Sequence, residues 1–296
     1  MARHPLFGVL LALFGTLVLT PDAMLMRLSG MNGFQMVAWR GLWMGSVLIA
    51  VWFCISRTRG RDLKLLRSKF GLMIVGCQLF NSTLFSLGIA IAPVAVVLFG
   101  VAAVPVFAAV FAWILIGEPT RAATWVAIAL VLIGIGLAVT GGDAGGDAGM
   151  TLVSALGAVF GLGVAAVLAL NFVVLRAQPD LPILLLIGCG ALLAGALGVL
   201  VTGPGAMQQG NVWPMAITGA IVLPLSFVSL SVAARFTHAA NVSLLMLLET
   251  VLGPVWVWLG IGEVPTPRMI SGGAIVVISL GLYLIYTGRV QARDQP

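Results

Sequence analysis

Charged side chains are scarce in this sequence. Asp, Glu, Lys and Arg make up 8% of the 296 residues, apolar residues make up 61%, and the mean hydropathy is +1.16. A soluble domain instead has about a quarter charged and about half apolar residues. The composition therefore excludes an ordinary soluble globular fold and predicts a membrane protein.

Residues that usually ligate metals or act as nucleophiles are also few. The two histidines, His4 and His238, lie near predicted helix ends. Cys54, Cys77 and Cys189 stand far apart in the chain, without the spacing of a metal site. Since no serine-hydrolase or metal-binding motif is present either, we expect no metal, no cofactor and no enzymatic activity.

Long apolar runs fill most of the chain. A spanning helix needs about 20 predominantly apolar residues, and charges and Gly/Pro breaks divide the chain into ten candidates. They cover approximately 5–26, 34–56, 70–90, 93–116, 122–140, 150–175, 181–202, 212–234, 239–261 and 269–288. Because the connections are too short for a soluble domain, the sequence predicts an all-α membrane protein with ten transmembrane helices.

Basic residues concentrate on one side of these spans. The connection between the second and third spans alone holds six of the 15 Lys and Arg residues. The positive-inside rule then predicts a multi-pass protein of the cell (inner) membrane with both termini in the cytoplasm. We interpret the cluster as a topology signal rather than as a site for nucleic acid or acidic lipid headgroups, so the expected partners are the lipid bilayer and a small molecule, without nucleic acid.

A short motif occurs twice. Trp113–Glu118 (WILIGE) has a near copy at Trp258–Glu263 (WLGIGE), 145 positions later. Five apolar segments separate the copies, an odd number, so the two halves run in opposite directions through the membrane, as in many secondary transporters. We predict two inverted five-helix repeats, residues 1–141 and 150–296, joined by a glycine-rich outer linker at 142–149. Each glutamate either ends a helix in water or acts in gating.

The residues around this motif resemble the drug/metabolite transporter superfamily, specifically its EamA-type members. The resemblance is carried by Pro105–Glu118 in the first half and by Glu249–Pro254 and Gly262–Glu263 in the second. Thr250 departs from the family pattern, which generally has Pro there. The resemblance implies a central cavity lined by the first four helices of each half, and it is nearest to the amino-acid exporters, including those for aromatic amino acids.

Polar residues inside spans usually face a cavity or a neighbouring helix. In the third span, the spacing of Gln78 and Ser82 places them on one helix face, with Asn81 beside it. In the eighth span, Ser226 follows Pro224. We consider these polar residues candidates for the substrate site, with hydrogen bonding between helices as the alternative.

Intramembrane charges are rarer still. Asp22 and Arg40 lie at matching depths in the first two spans, which predicts a salt bridge; the alternatives are an outer gate or recognition of a substrate carboxylate. Glu249 is the deepest carboxylate, in the ninth span. It either couples transport to a proton or packs between helices. Arg40 and Glu249 are therefore further candidates for the substrate site.

Aromatic residues complete the candidate site. Trp39 and Trp43 lie one helical turn apart in the second span, Phe85 lies in the third and Phe227 in the eighth. They either face lipid or line a cavity suited to apolar or aromatic side chains.

The predicted function is export of small metabolites, amino acids above all, by alternating access in a monomer. A carrier of sugar phosphates or nucleotides is an alternative, but it should have several intramembrane Lys or Arg residues, and only Arg40 is present. A receptor without transport activity and a membrane enzyme are weaker alternatives. Pro105, Pro224 and Pro254 are the expected bend points.

Overall fold

The structure, a computed structural model, describes residues 5–116, 122–140, 152–233, 236 and 239–293. All secondary structure within these ranges is helical. The predicted linker at 142–149, Glu118, His4 and His238 lie outside the described residues.

The first half of the chain contains eight helices within its described residues. They are α1 (Pro5–Leu19), α2 (Asp22–Leu28), α3 (Gly33–Ile55), α4 (Arg59–Leu66), α5 (Lys69–Ile91), α6 (Val94–Val101), α7 (Val104–Ile116) and α8 (Ala122–Val139).

The second half contains six further α-helices within its described residues. They are α9 (Leu152–Ala177), α10 (Ile183–Thr202), α11 (Val212–Ile217), α12 (Leu223–Ala233), α13 (Ala239–Ile261) and α14 (Pro267–Arg293). A 3₁₀ turn at Ala206–Gln208 follows α10, and a π-helical turn at Thr218–Val222 joins α11 to α12.

Seven helical segments within the described residues are long and apolar enough to cross a membrane. They are Phe7–Leu28, Gly33–Ile55, Lys69–Ile91, Val94–Leu115, Leu152–Ala177, Ile183–Thr202 and Val212–Ala233. Three shorter apolar helices cover Trp125–Ala138, Leu245–Ile261 and Pro267–Tyr283. The chain is thus a multi-pass membrane protein, while the number of ten spans stays a prediction.

Several segments predicted as continuous helices are interrupted. The first span breaks at Thr20–Pro21, a site that the sequence analysis did not identify. The fourth breaks at Ala102–Ala103, shortly before Pro105, and the π-helical turn ends two residues before Pro224. Proline lacks the amide proton that a continuous helix needs, which explains the nearby breaks. Pro254, by contrast, remains inside α13.

The basic connection between α3 and α5 forms a helix, α4, that the sequence analysis also missed. Asp62 on this helix accepts hydrogen bonds from the Trp52 indole (2.9 Å), the Ser56 hydroxyl (2.6 Å) and the Thr58 hydroxyl (3.3 Å). Slight burial raises the pKa of Asp62, but these hydrogen bonds outweigh it and lower the pKa overall. The carboxylate thereby fixes α4 against the end of α3.

Polar contacts at each end of the bundle connect distant segments. We call one end the Glu263 end. There the backbone amide of Asn211 donates to the Ser29 carbonyl (2.7 Å), and Arg268 Nη1 donates to the Thr140 carbonyl (3.1 Å). At the other, which we call the Arg61 end, Arg61 Nη2 pairs with Asp180 Oδ2 at 3.0 Å. These contacts fix which helix ends lie together.

Close helix packing depends on glycine. An added Cβ at Gly41 of α3 would lie 2.5 Å from the Ala191 carbonyl oxygen and 2.7 Å from Gly195 Cα of α10, so only glycine permits this approach. The whole of α6 is buried at the centre of the bundle, where it contacts α9 and α13. A cavity remains between α2, α3, α5, α9, α12 and α13.

Candidate functional site

The central cavity is lined by residues from both halves of the chain. Four polar side chains line it, Asp22 of α2, Arg40 of α3, Asn81 of α5 and Glu249 of α13. Its aromatic lining consists of Phe85, Phe172 and Phe227. About 20 Å³ is open to the centres of water molecules, room for about one ordered water. In this state, therefore, the cavity cannot hold a molecule as large as an amino acid.

Arg40 and Asp22 form a buried ion pair, as their matching depths predicted. Arg40 Nη2 donates to Asp22 Oδ2, and the two side chains are 5% and 1% exposed. The guanidinium carbon also lies 4.8 Å from the centroid of the Phe85 ring, close enough for a cation–π interaction. These two contacts fix the position of the guanidinium at the cavity wall.

The ion pair leaves hydrogen-bonding capacity unused. Arg40 Nε, Arg40 Nη1 and Asp22 Oδ1 are buried and have no hydrogen-bond partner among the described residues. A buried polar group without a partner costs about 1–3 kcal/mol, and such groups are rare in native proteins. Arg40, which lines the cavity, therefore keeps two donor nitrogens without a protein acceptor among the described residues.

The backbone of α3 at Arg40 packs against the π-helical turn. An added Cβ at Gly219 would lie 3.1 Å from the Arg40 carbonyl oxygen and 2.6 Å from Trp43 Cβ. Single π turns inside α-helices are frequent at functional sites. Here Gly219, within the turn, lets the segment from α11 to α12 approach the backbone of α3 closely at Arg40.

Glu249 is buried, with 7% of its surface exposed. It lines the central cavity and also a narrow gap beside Pro105 and Thr250. The Thr250 hydroxyl donates to the Leu247 carbonyl (2.7 Å), so this hydroxyl has its hydrogen-bond partner within α13. Glu249 is consequently the carboxylate that the second half contributes to the cavity wall.

Five of the candidate site residues therefore line one cavity, namely Arg40, Asn81, Phe85, Phe227 and Glu249. Gln78 and Ser82 lie elsewhere: Gln78 Nε2 donates to Ser82 Oγ (3.1 Å) and contacts Met44 Sδ (3.7 Å). An added Cβ at Gly190 of α10 would lie 2.7 Å from Gln78 Cβ. Gln78 and Ser82 therefore lie where α5 packs against α3 and α10.

The remaining candidates also lie away from the cavity lining. The Trp39 indole donates to the Met207 carbonyl (3.0 Å) and so holds the 3₁₀ turn after α10. Trp43 is 38% exposed, and the Ser226 hydroxyl donates to the Val222 carbonyl one turn earlier (2.6 Å). Their contacts in this state are structural.

The sequence analysis did not identify the contribution of α9. Val164, Leu168 and Phe172 line the cavity from this helix. They recur every four residues, the spacing of one helix face, but apolar residues at this spacing are also typical of ordinary packing. Phe172, an aromatic residue that follows Asn171 in an otherwise small and aliphatic stretch, was the available signal. Asp22 was noticed only as the partner of Arg40.

A second polar contact closes the bundle at the Glu263 end. Glu263 Oε1 accepts from the Val94 amide at the start of α6 (3.0 Å), and Oε2 lies 3.5 Å from Arg27 Nε. Arg27 Nη2 donates in turn to the Ala92 carbonyl (2.7 Å). A pocket of about 410 Å³ lies beside this contact. Thus Glu263 joins the end of α13 to α2 and α6 of the first half.

Comparison with known proteins agrees with this architecture. Residues 6–140 match the EamA-like transporter family. The match covers slightly less than half of the chain and supports its resemblance to the drug/metabolite transporter superfamily, whose EamA-like members are membrane transporters of small molecules. No curated protein matches the chain. A solved crystal structure matches with a TM-score of 0.66 at 20% identity, over 95% of this chain and 97% of the other, which shows a shared fold.

Proposed function

We propose that the protein exports small zwitterionic metabolites, above all amino acids, across the cell (inner) membrane by alternating access. The observation that carries this proposal is the buried cavity between the two halves, which combines a guanidinium, two carboxylates and three phenyl rings. A zwitterion needs both signs of charge, and an apolar lining accommodates its side chain.

The proposal includes two inverted five-helix repeats, residues 1–141 and 150–296. The directions of the helices support this. The segment α1–α2 ends at Leu28, and Arg27 in its last turn pairs with Glu263, so this segment ends at the Glu263 end. Val153, at the start of α9, lines the pocket at that same end, and Asp180, just after α9, pairs with Arg61 at the opposite end. The first segment of each half thus runs in the opposite direction.

Helix packing gives further support. If the two halves are repeats, replacing each predicted span by the equivalent span of the other half should turn one packed pair of helices into another packed pair. The equivalent helices α3 and α10 pack against each other, as do the equivalent helices α8 and α14. The packed pair α5 and α9 corresponds to α12 and α1, which also pack together. In such transporters the substrate site lies at the interface of the repeats, which is where the cavity lies.

The proposed orientation has the Glu263 end outside and the basic Arg61 end in the cytoplasm, following the positive-inside rule. Opening the Glu263 end requires that the contacts of Glu263 with Arg27 and Val94 break. We infer that rocking of one repeat against the other breaks these contacts and widens the cavity to the size of a substrate. The breaks near Pro21, Ala102–Ala103 and Thr218–Val222 supply bend points.

Sugar phosphates and nucleotides fit this cavity less well. Asp22 already neutralises Arg40, and Glu249 adds a second carboxylate to the same cavity. A multiply charged anion would meet like charge at both, which disfavours its binding.

Counterflow into proteoliposomes tests the proposal. Vesicles loaded with one unlabelled amino acid should accumulate the same labelled amino acid faster than protein-free vesicles, and the excess should saturate. A panel of apolar, aromatic and charged amino acids sets the substrate range, with a sugar phosphate as the comparison compound. Absence of saturable counterflow for every amino acid would refute this function.

A further inference from the structure

The unused donors of Arg40 point to a ligand. Of the three guanidinium nitrogens, only Nη2 has a protein acceptor, while Nε and Nη1 have none among the described residues. We propose that Arg40 binds the carboxylate of the transported molecule and that Asp22 is a positioning residue, which holds the guanidinium from the other side. This inference rests on the proposed function, because it assigns the carboxylate end of the exported zwitterion.

The chemistry of the site favours a carboxylate. Guanidinium carries five N–H donors in a rigid fork and no acceptor. One carboxylate, Asp22, uses a single nitrogen, so donors remain for a second. Charge-assisted hydrogen bonds to an ionised acceptor are about twice as strong as neutral ones, so a carboxylate is bound in preference to an amide of the same shape.

The guanidinium is held rigidly for this task. Asp22 bonds to Nη2, and the Phe85 ring lies 4.8 Å below the guanidinium carbon, so the cation is fixed both in its plane and on one face. Arg40 itself is 4% exposed. A buried arginine with a fixed position loses little further freedom when a ligand binds, which favours affinity.

Groups already present in the cavity do not use these donors. Asn81 and Glu249 line the same cavity, yet among the described residues the structure pairs Arg40 with Asp22 alone. Glu249 is thereby free to meet the ammonium group of a zwitterion. The rival occupant of the open donors is an ordered water, which would give no preference between carboxylate and amide ligands.

Binding to the purified protein tests the assignment without requiring transport. The probes are 3-phenylpropanoate and 3-phenylpropanamide, which share a phenyl group and differ in the polar end. We expect the propanoate to raise the thermal unfolding temperature of the protein in detergent, and the amide to leave it nearly unchanged. Equal stabilisation by the amide, or no shift with the propanoate at millimolar concentration, would overturn the proposal.

The double substitution D22N/R40Q removes both charges of the pair together, so neither Asp22 nor Arg40 is left as a buried charge without its partner. It should weaken propanoate binding by about 10- to 100-fold, the range expected for losing hydrogen bonds to a charged group. The matched control is R61Q/D180N, which removes the exposed pair at the Arg61 end and should bind like the wild type. Undiminished propanoate binding by D22N/R40Q would contradict the assignment.

Two further measurements keep the proposal decidable. Should D22N/R40Q fail to fold, R40K retains a cation beside Asp22 but lacks the planar fork, and it should also lose propanoate affinity while remaining folded. Counterflow of phenylalanine, measured separately, distinguishes the two proposals. Counterflow without carboxylate selectivity refutes only the role of Arg40, whereas selective propanoate binding without counterflow of any amino acid refutes only the export function.

Discussion

Removing the Glu263 carboxylate should open the Glu263 end of the bundle. This side chain accepts from the Val94 amide at 3.0 Å and lies 3.5 Å from Arg27 Nε. The paired side chains are 26% and 32% exposed, so solvent screens the ion pair. A pair of this kind contributes about 0–1 kcal/mol, and a side-chain cap at a helix start contributes about 0.5–2 kcal/mol.

Glu263→Ala removes both contributions, whereas Glu263→Gln keeps an acceptor for Val94. We therefore expect the alanine variant to lose about 0.5–3 kcal/mol from the closed state. Since about 1.4 kcal/mol is a tenfold change in an equilibrium, the ratio of open to closed molecules should rise about 2- to 140-fold. The glutamine variant should show a smaller rise.

A buried cysteine reports the opening. Ala95 lines the pocket beside Glu263 and is 5% exposed, so Ala95→Cys should react with a bulky maleimide only when this end opens. The background replaces Cys54, Cys77 and Cys189. Measured in detergent, the labelling rate does not depend on orientation in a membrane.

Arg268 provides the matched control. It lies at the same end and donates to the Thr140 carbonyl (3.1 Å) without contacting Arg27 or Val94. Arg268→Gln should therefore leave labelling of the cysteine at position 95 unchanged. Equal labelling rates in the Glu263→Ala variant and its parent would show that Glu263 does not hold this end closed.

Three further predictions concern packing, coupling and the α4 connection. Gly41→Ala should lower the unfolding temperature by several degrees, because its Cβ would meet the backbone of α10 and overpacking costs about 1–3 kcal/mol; Gly76→Ala, which has open space, is the control. Glu249→Gln should abolish the pH dependence of counterflow if Glu249 carries a coupled proton. Asp62→Asn should destabilise the protein by less than about 1 kcal/mol at neutral pH, as measured by thermal unfolding. Because folding lowers the pKa of Asp62, the difference from wild type should disappear as pH falls below the ordinary range of aspartate.

Each of these has a clear contrary result. Equal stability of the two glycine variants would contradict the close approach of α3 and α10. Unchanged pH dependence in the Glu249→Gln variant would refute its coupling role. A destabilisation by Asp62→Asn that persists in acid would show that the charge of this carboxylate contributes nothing to its hydrogen bonds.

The apolar pattern predicted most helices to within a few residues, but it could not predict every break. The predicted second span, 34–56, corresponds to α3 (Gly33–Ile55), and the capping box of Asn32 with Gln35 fixes its start. The first predicted span ignored Pro21, because a proline inside a long apolar run can either kink a helix or end it. The charged residues of α4 gave no apolar period to follow.

The buried ion pair could be predicted because chemistry limits the options. Asp22 and Arg40 are charges inside predicted spans, so each needs a partner, and their equal depth indicated which one. Gln78 and Asn81 show the opposite case. Both are buried polar residues on α5, yet Asn81 faces the cavity while Gln78 bonds to Ser82 against α3 and α10.

The sequence by itself determined that this protein lies in a lipid bilayer and that its apolar segments are helical. A bilayer leaves no water for backbone hydrogen bonds, and continuous apolar runs of about 20 residues satisfy their backbone groups there by forming helices. Only the tertiary structure decided which side chains meet. Packing of α9 brings Phe172 to the cavity, and the end of α13 brings Glu263 to the start of α6. Such contacts depend on how helices distant in sequence are placed together, which no local pattern specifies.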